Sequence, residues 1–293
     1  MCKYKYEIGK IKIELNVFES QLIKKRMKAY ESDFDTPDLV ITIIESDTIK
    51  YNPEYKIISS SSFRGFALNS SNDYGIFDRL DSADNLSAAL YINNNATAVM
   101  GYVKDIQSLG GASREVRAFN MIGDAFKYAA ILRNGFVFHS STLKYDGKGI
   151  LFSADSGTGK STHTGLWREY YPNDTEIIND DTPLIRLIDG KPFVFGTPWS
   201  GKTDLNNNVS APLSNIVFLE RGQVNALKKL DFASAFQKFT RQSFIMPFSS
   251  LFLLYLSTAE KVLKQTNMII LQCNISKDAV DTIKAYVEGK NEN

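Results

Sequence analysis

Apolar and polar positions alternate along much of the first third of the chain, as they do in strands with one buried face. Residues 4–17 carry this alternation on both sides of Gly9, which predicts two half-buried strands that turn at the glycine. Residues 39–44 form a run of apolar and β-branched residues, which is typical of a fully buried strand. Residues 21–30 fit either a short basic helix or a loop. Further strands are predicted at residues 56–59, 74–77, 88–92 and 97–103.

The apolar spacing changes to a helical period after the Gly110-Gly111 pair. Ser113 can cap a helix that runs to about Arg133, and Gly135 follows in the position that commonly ends a helix. We therefore predict a domain boundary at residues 109–112, between a β-rich region of residues 1–112 and a second domain of residues 113–293. One face of the predicted helix carries Val116, Phe119, Ile122, Phe126 and Ala130.

Strands and helices are both predicted in the second domain, so the fold class is α/β (α+β). Residues 136–144 and 149–152 predict an antiparallel hairpin across the Asp146-Gly147 turn. Ser276 is the predicted N-cap of the last helix. The other predicted elements are strands at residues 176–178, 184–188, 193–195 and 215–219, and helices at about residues 232–241, 248–264 and 277–287.

Residues 153–162, with the sequence SADSGTGKST, lie between the second strand of this hairpin and a helical segment. A strand, a glycine-rich loop and a helix that opens on Gly-Lys-Ser are the context of a phosphate-binding P-loop. Backbone N–H groups of the loop can converge on an anion, and the helix N-terminus adds a partial positive charge. Lys160 would reach the β- and γ-phosphates, and the Ser161 hydroxyl would bind Mg²⁺. The predicted nucleotide-binding residues are Ser156, Gly157, Thr158, Gly159, Lys160, Ser161 and Thr162.

Ala154 stands where the usual P-loop pattern begins with glycine. If this position required a positive φ angle, alanine would pay a steric cost that glycine does not. The alternative interpretation is a glycine-rich turn before a helix, without a nucleotide. The order of strand, loop, lysine, serine and helix favours the nucleotide site.

Composition and charge narrow the classes of function. The chain has 293 residues, 43% hydrophobic and 23% charged, which indicates a globular protein of one large or two ordinary domains. Its 34 Lys and Arg residues exceed its 33 Asp and Glu residues by one, so we expect binding neither to nucleic acid nor to a membrane. The sequence has no membrane-spanning apolar run, no apolar signal-peptide core, and only the two cysteines Cys2 and Cys273. These features predict a cytoplasmic protein.

His139 on the first hairpin strand, the P-loop, and the pair Asp180-Asp181 after the next strand form a constellation. In order and spacing it resembles the catalytic domain of HPr kinase/phosphorylase and, more broadly, the phosphoenolpyruvate-carboxykinase-like P-loop kinases, over about residues 113–290. The whole chain also resembles HPr-kinase-like proteins, some of which accompany peptide-modification clusters in bacteria. The resemblance implies a P-loop core with a mixed sheet and a hairpin-borne P-loop. It also implies binding of ATP or another NTP and of Mg²⁺. Members of the family are often homo-oligomers, and the oligomeric state of this chain stays open.

The resemblance assigns roles to individual residues. His139 would orient or polarise the reacting phosphate, Asp180 would act as the general base on a hydroxyl, and Asp181 together with Ser161 would hold the metal. Adjacent carboxylates and a phosphate cradle also suit phosphoryl transfer on chemical grounds. The alternatives are a core histidine for His139 and a turn with Asx hydrogen bonds for the aspartate pair.

Three further residues each have a functional and a structural interpretation. His163, three residues after the P-loop lysine, is expected to pack or hydrogen-bond rather than to act directly. Lys202, after Trp199 in the loop at residues 197–202, is a candidate for contact with substrate or phosphate, against the alternative of a surface lysine. Arg241 is interpreted as part of a solvated helix face.

The favoured interpretation is a Mg²⁺-dependent kinase that transfers the γ-phosphate of ATP to a hydroxyl, serine above all, of a peptide, small protein or small molecule. Residues 1–112 would then serve substrate recognition or assembly. The HPr-kinase signature segment for phosphorolysis is not recognisable, which speaks against HPr itself as the substrate. Two alternatives stay open: a nucleotide-binding regulatory module that has lost catalysis, and an enzyme like phosphoenolpyruvate carboxykinase, whose substrate-binding segment is not recognisable here.

Overall fold

The structure, a computed structural model, describes residues 1–80, 85–201 and 203–290. The chain divides into two compact units. Unit 1 comprises Met1–Arg133 and Met246–Phe252, and unit 2 comprises Asn134–Ile245 and Leu253–Asn293. None of the helices in the described ranges combines the length and the apolar character needed to cross a membrane.

Unit 1 is built on a mixed sheet whose described strands are arranged in the order β1-β2-β3-β8-β7-β6-β5-β4. Strand β3 pairs in parallel with both β2 and β8, and the remaining pairs are antiparallel. The strands are β1 Cys2–Ile8, β2 Ile11–Val17, β3 Leu39–Glu45, β4 Lys56–Ser60, β5 Arg64–Leu68, β6 Tyr74–Arg79, β7 Leu86–Ile92 and β8 Ala98–Val103.

The first hairpin confirms the prediction from the alternating pattern. Gly9 and Lys10 form the connection with φ angles of 57° and 62°, and Ile8 pairs with Ile11. Two consecutive residues with positive φ are typical of a tight hairpin turn that matches the twist of its strands. Every second side chain of β2, from Ile11 to Val17, is fully buried.

Helix α1, Gln21–Met27, and helix α2, Arg114–Ile131, complete unit 1 with the residues near Phe248. The predicted cap of α2 is confirmed, because the Ser113 hydroxyl accepts a hydrogen bond from the Val116 amide at 3.5 Å. Helix α2 packs on β3, β7 and β8. Its buried face therefore belongs to unit 1, and the division between the units falls after Arg133 rather than at residues 109–112.

Unit 2 contains a second mixed sheet, whose main path in the described chain is β12-β10-β11-β15-β14-β13-β9, with β17 beside β15 and β16 beside β17. The strands are β9 Gly135–Val137, β10 Ser141–Tyr145, β11 Lys148–Ser153, β12 Thr175–Asn179, β13 Leu184–Ile188, β14 Lys191–Phe195, β15 Ser210–Arg221, β16 Ala226–Lys229 and β17 Asn267–Cys273. The helices are α3 Lys160–Tyr170, α4 Phe232–Gln242, α5 Ser249–Leu263, whose first turn belongs to unit 1, and α6 Lys277–Val287.

The predicted hairpin before the P-loop is present but shorter than expected. Thr142 pairs with Leu151 across the Asp146-Gly147 turn, whereas Phe136 pairs with Ile185 of β13. The chain leaves one strand partner for another at residues 138–140, which the apolar pattern of the segment does not reveal. Strand β11 also pairs in parallel with β15, which in turn pairs in parallel with β17. The P-loop therefore follows a strand that is hydrogen-bonded on both sides.

The core of unit 2 lies under the P-loop helix. Trp167 of α3 is fully buried against Phe152 of β11, Val217 of β15 and Leu271 of β17. Helix α6 closes the same cluster with Ile283. The predicted cap of α6 is confirmed, since the hydroxyl of its N-cap serine accepts a hydrogen bond from the amide three residues on at 3.2 Å.

We predict opposite effects for alanine at two glycines of unit 2. A Cβ atom at Gly196 would lie 1.9 Å from the Asn207 carbonyl oxygen and 2.8 Å from that of Ile178, so Gly196→Ala forces backbone to move. We expect a loss of about 3 kcal/mol or more in the free energy of unfolding. Gly165 in α3 has open space around it, and Gly165→Ala is expected to add about 0.5–1 kcal/mol.

Urea unfolding of the two variants, measured beside the wild type, checks this pair. A neutral effect of Gly196→Ala would contradict the close approach of the two backbone segments. A destabilising Gly165→Ala would contradict the exposed position of that residue in α3.

Candidate active site

The P-loop runs from the end of β11 at Ser153 to the first residue of α3, Lys160. Gly157 and Gly159 have φ angles of +76° and +119°, a region that strains other residues, so both glycines are required by the backbone. Ala154 is not among the described residues with positive φ, and its side chain is buried in the core of unit 2. The steric cost expected for alanine at this position is therefore absent.

Lys160 crosses back over the loop, and its ammonium donates a hydrogen bond to the Ala154 carbonyl oxygen at 3.0 Å. Partial burial lowers the pKa of this lysine, whereas the negative charges of Asp181, Asp180 and Asp155 oppose the shift. The ammonium thus lies in the field of the acidic residues on both sides of the loop. Of the other predicted phosphate-binding residues, Ser156 and Gly157 are exposed in the loop, and Ser161 and Thr162 are exposed in the first turn of α3.

The Asn179 side chain holds the turn that carries the aspartate pair. Its carboxamide oxygen accepts hydrogen bonds from the Asp181 amide at 2.9 Å and from the Thr182 amide at 2.8 Å. Its Nδ2 donates to the Thr197 carbonyl oxygen at 2.8 Å. The Asx turn considered from the sequence is thus present, and it fixes the backbone of both aspartates at the end of β12.

Asp180 is only 7% exposed. Its Oδ1 accepts a hydrogen bond from the Ser141 hydroxyl at 2.5 Å, and Ser141 Oγ lies 2.7 Å from Thr164 Oγ1 of α3. Because the Ser141 proton is donated to Asp180, the Thr164 hydroxyl is the donor to Ser141, and Thr164 Oγ1 also lies 3.3 Å from the Lys160 carbonyl oxygen. The Asp180 carboxylate is therefore linked through two hydroxyl groups to the first turn of the P-loop helix.

The second carboxylate oxygen of Asp180, Oδ2, is buried without a hydrogen-bond partner. A buried carboxylate oxygen in this state is costly unless a proton donor or a cation approaches it. The atom is thus suited to accept a proton from a bound hydroxyl group or to face a divalent ion. Ser141, which holds the other oxygen, gave no signal in the sequence, because serine in a strand is common.

His139 lies between Asp181 and helix α4. Its Nε2 is 3.5 Å from Asp181 Oδ1, and its Nδ1 is 3.2 Å from Gln242 Oε1. The Gln242 Nε2 group donates to Asp155 Oδ1 in the P-loop at 3.4 Å. If Gln242 presents its amide nitrogen to Asp155, its oxygen accepts from His139 Nδ1, which leaves Nε2 facing the carboxylate. A continuous polar chain therefore connects the aspartate pair with the P-loop.

Three oxygen donors of this site are of the kind that Mg²⁺ binds. Asp181 is half-buried, the Ser161 hydroxyl is exposed on α3, and Asp180 Oδ2 is the unsatisfied atom described above. Carboxylate and hydroxyl oxygens suit Mg²⁺, which usually completes its shell with water and phosphate oxygens. Within the described ranges, no group of three or more His, Cys, Asp or Glu side chains is arranged to hold a metal ion.

The loop after β14 approaches the aspartate pair closely. Thr182 donates its hydroxyl proton to the Trp199 carbonyl oxygen, and a Cβ atom at Gly201 would lie 3.2 Å from the Asp181 side chain. Gly201 has a φ angle of +63°, so this approach depends on glycine. Lys202, the predicted contact to substrate or phosphate, lies outside the described residues, and its role stays a prediction.

Two arginines next to the P-loop were not predicted as site residues. Arg221, at the end of β15, donates a hydrogen bond to the Gly157 carbonyl oxygen at 2.5 Å. Arg241 of α4 is exposed, as interpreted from the sequence, and its Nη2 lies 3.4 Å from Asp155 Oδ1. Both line a cavity of about 260 Å³ together with Lys238. Asp155 and Glu220 line the same cavity and pair with Arg241 and Lys238, so its lining carries charges of both signs.

His163 lies behind the loop rather than in it. Trp167 Nε1 donates a hydrogen bond to His163 Nε2 at 3.3 Å, and the imidazole packs against the Phe152 ring at a centroid distance of 4.7 Å. Burial lowers the pKa of His163 to about 4. The expectation of a packing role is thus in agreement with the structure, and the side chain is neutral at pH 7.

No protein-family model matches the chain, and no curated protein matches it either. Among solved structures, the chain is similar to the Hpr(Ser) kinase/phosphatase from Coxiella burnetii, with 11% identity and a TM-score of 0.31. The match covers 54% of this chain and 99% of that chain. This is a distant structural similarity, and the assignment of the site rests on its own geometry.

We predict that His163 makes unit 2 less stable in acid. The imidazole of the unfolded chain binds a proton near its ordinary pKa of 6.5, whereas folded His163 does so only near 4. The unfolded state therefore binds more protons in this window, and the free energy of unfolding falls as pH decreases from about 6.5 to 4. The loss is at most about 3 kcal/mol.

Urea unfolding between pH 7 and pH 4.5 measures this effect. The variant His163→Gln removes the titrating group, and we expect its stability to depend less steeply on pH than that of the wild type, whatever its absolute stability. Equal slopes for both proteins would show that His163 does not carry the effect.

Proposed function

We propose that this protein is a phosphotransferase that uses a nucleoside triphosphate, ATP or another NTP, to phosphorylate a hydroxyl group. The observation that carries the proposal is the unsatisfied Oδ2 of Asp180, which belongs to a carboxylate linked to the P-loop helix through Ser141 and Thr164. A phosphate cradle supplies one reactant, and a buried base beside it supplies the means to activate the other.

The phosphate cradle follows from the backbone of the loop. Gly157 and Gly159 allow the N–H groups before α3 to turn towards one point, where the helix N-terminus adds its positive potential. A triphosphate would replace the Ala154 carbonyl oxygen as the partner of the Lys160 ammonium, whose charge then offsets that of the phosphates. Lys160 is already desolvated in part, so the exchange costs less than it would for a fully solvated lysine.

Asp180 is the proposed general base. Ser141 occupies Oδ1 and leaves Oδ2 as the atom that can accept the proton of a substrate hydroxyl. The hydroxyl oxygen then attacks the γ-phosphorus, the bond to the β-phosphate oxygen breaks, and the nucleoside diphosphate leaves. Serine in a peptide or small protein and the hydroxyl of a small molecule are the acceptors we propose, with the cytoplasm as the compartment.

Ser161 and Asp181 are the proposed ligands of Mg²⁺. When bound, the ion would neutralise part of the negative charge of the phosphates. His139 donates a hydrogen bond from Nδ1 to Gln242, and its Nε2 lies 3.5 Å from Asp181 Oδ1, so the ring is fixed beside the carboxylate. We propose that His139 positions these groups and contacts the transferred phosphate.

The two alternatives from the sequence differ from this proposal in the use of Asp180. A regulatory module would bind the nucleotide and need no base, and an enzyme like phosphoenolpyruvate carboxykinase would act on an acid rather than on a hydroxyl. Neither has a specific observation in its favour that the proposed kinase lacks. Variants of Lys160 and of the aspartates separate these cases.

We predict that Lys160→Ala weakens the binding of Mg²⁺-ATP at least tenfold, because the variant loses a charge-assisted contact to the β- and γ-phosphates. Isothermal titration calorimetry measures the affinity. Lys144→Ala is the matched control, since Lys144 of β10 forms only an exposed ion pair with Glu176 at 3.2 Å. Equal affinity of Lys160→Ala and the wild type would remove the P-loop from the proposal.

We predict that Asp180→Asn retains the affinity for Mg²⁺-ATP within a few-fold and lowers phosphoryl transfer by about 10² to 10⁴, since the base is lost while the cradle stays. Transfer to water and to serine peptides is followed with γ-labelled ATP. Asp181→Asn should instead raise the Mg²⁺ concentration needed for half-maximal binding. Asp174→Asn, in an exposed turn, is the control. The opposite pattern would exchange the roles of the two aspartates.

A further inference from the structure

Unit 1 holds a cluster of charged side chains that the proposed kinase chemistry does not use. Arg64 of β5 binds both carboxylate oxygens of Asp78, through Nε at 2.6 Å and Nη2 at 3.0 Å. Its Nη1 donates to Asp124 Oδ2 at 2.9 Å, and the other oxygen of Asp124 accepts from Lys127 at 3.1 Å. Two cations and two carboxylates thus compensate one another, and every carboxylate oxygen in the group has a partner.

Two more arginines lie beside this group without a carboxylate of their own. Arg79 follows Asp78 at the end of β6, and Arg117 lies one turn into α2. In the described chain, neither guanidinium forms an ion pair, although the charge of Asp78 acts on Arg117 from a distance. Guanidinium groups stay protonated in proteins, so within the described ranges the pair carries two positive charges that no salt bridge neutralises.

Hydrogen bonds within unit 1 fix the side chain of Arg117. Its Nη2 donates to the Ser87 hydroxyl oxygen at 2.5 Å, and Ser87 donates in turn to the Asp78 carbonyl oxygen at 3.2 Å. Its Nε is buried without a hydrogen-bond partner. Burial lowers the pKa of Arg117, the negative charge of Asp78 opposes this shift, and the charge of Arg64 adds to it. A buried donor without a partner is costly, and an oxyanion at this position would remove the cost.

Both arginines line one cavity of about 540 Å³. This volume is within the range of sites for small molecules. The cavity is also lined by Phe63 and Leu109, which are 74% and 69% exposed. Gly110, with a φ angle of +78°, has open space around it, so the backbone beside Leu109 is accessible. Arg64 and Asp78 also line it, as a paired cation and anion. Beyond that pair, the cavity offers two cations and an apolar surface to the same ligand.

We propose that this cavity is a binding site for a small organic dianion, namely a compound that carries a phosphate monoester or a pair of carboxylates on an apolar or aromatic group. The anionic part would bridge Arg79 and Arg117, because two guanidinium charges match a dianion better than a single carboxylate. The apolar part would cover Phe63 and Leu109. The inference concerns unit 1 alone and is independent of the function proposed for the P-loop.

Calorimetric titration of the full-length protein with phenyl phosphate tests the site. We expect millimolar or tighter affinity, at least tenfold weaker binding of inorganic phosphate, which has no apolar part, and no binding of the neutral benzyl alcohol. A parallel titration with phenylmalonate shows whether the site prefers a dicarboxylate or a phosphate monoester. Tighter binding of phenylmalonate identifies a dicarboxylate and tighter binding of phenyl phosphate identifies a phosphate ester, and either result supports the site.

Variants locate the binding. Arg79→Gln and Arg117→Gln should each weaken phenyl phosphate at least tenfold, and Arg117→Lys, which keeps the charge but not the planar donor fork, should weaken it less than Arg117→Gln. Arg114→Gln is the matched control on the same helix, since Arg114 pairs with Glu45 and does not line the cavity. Lys160→Ala must retain the binding. Circular dichroism and thermal unfolding confirm that the variants are folded.

Two results would overturn the proposal. The first is an absence of phenyl phosphate binding in the wild type. The second is binding that Lys160→Ala abolishes and Arg79→Gln leaves intact, which would assign the ligand to the P-loop.

Discussion

A buried carboxylate with one oxygen lacking a partner is the constraint around which unit 2 is arranged. Placing Asp180 away from water costs several kcal/mol unless hydrogen bonds and opposite charges compensate it. The Ser141 hydroxyl provides one hydrogen bond, and the Lys160 ammonium contributes charge from across the loop. The remaining oxygen stays unsatisfied. Such an arrangement is retained at functional sites, where a ligand completes it, rather than in a core selected for stability alone.

The fold explains how this carboxylate is brought to the P-loop. Strand β10 lies between β12, which ends at Asn179, and β11, which ends at the loop. The chain therefore leaves the sheet after Asn179 of β12 and after Ser153 of β11, on either side of β10, which contributes Ser141. The hairpin-borne P-loop and the Asp180 carboxylate therefore follow strands that end on either side of β10, without a long connection between them. Gln242 and Arg221 then fasten the loop from α4 and β15.

Local sequence signals predicted the elements that local physics determines. Alternation around Gly9 gave the first hairpin, Ser113 and Ser276 gave two helix N-termini, and the glycine loop before Lys160 gave the strand–loop–helix order. These features depend on residues within a few positions of one another. The same is true of the Asn179 turn, in which the amide oxygen satisfies two backbone donors.

Elements that depend on distant partners were missed or misplaced. Strand β5 is short and contains Gly65, and it is defined by its pairing with β6. Strand β17 follows a helix directly, and an apolar run in that context fits the end of a helix equally well. Phe136 was assigned to the wrong strand pair, because its partner β13 lies almost fifty residues away. Ser141, Gln242 and Arg117 are ordinary residues in sequence and acquire their significance only from tertiary contacts.

We propose that the Asp180 carboxylate and the P-loop act together in the transfer of a phosphoryl group. The most direct measurement is the incubation of the wild-type protein with Mg²⁺ and γ-labelled ATP in the presence of a library of serine-containing peptides and small alcohols. We expect label to appear on a hydroxyl of at least one acceptor, at a rate well above transfer to water. Tight binding of Mg²⁺-ATP with no transfer to any hydroxyl or to water would contradict the claim and identify a nucleotide-binding module without catalysis.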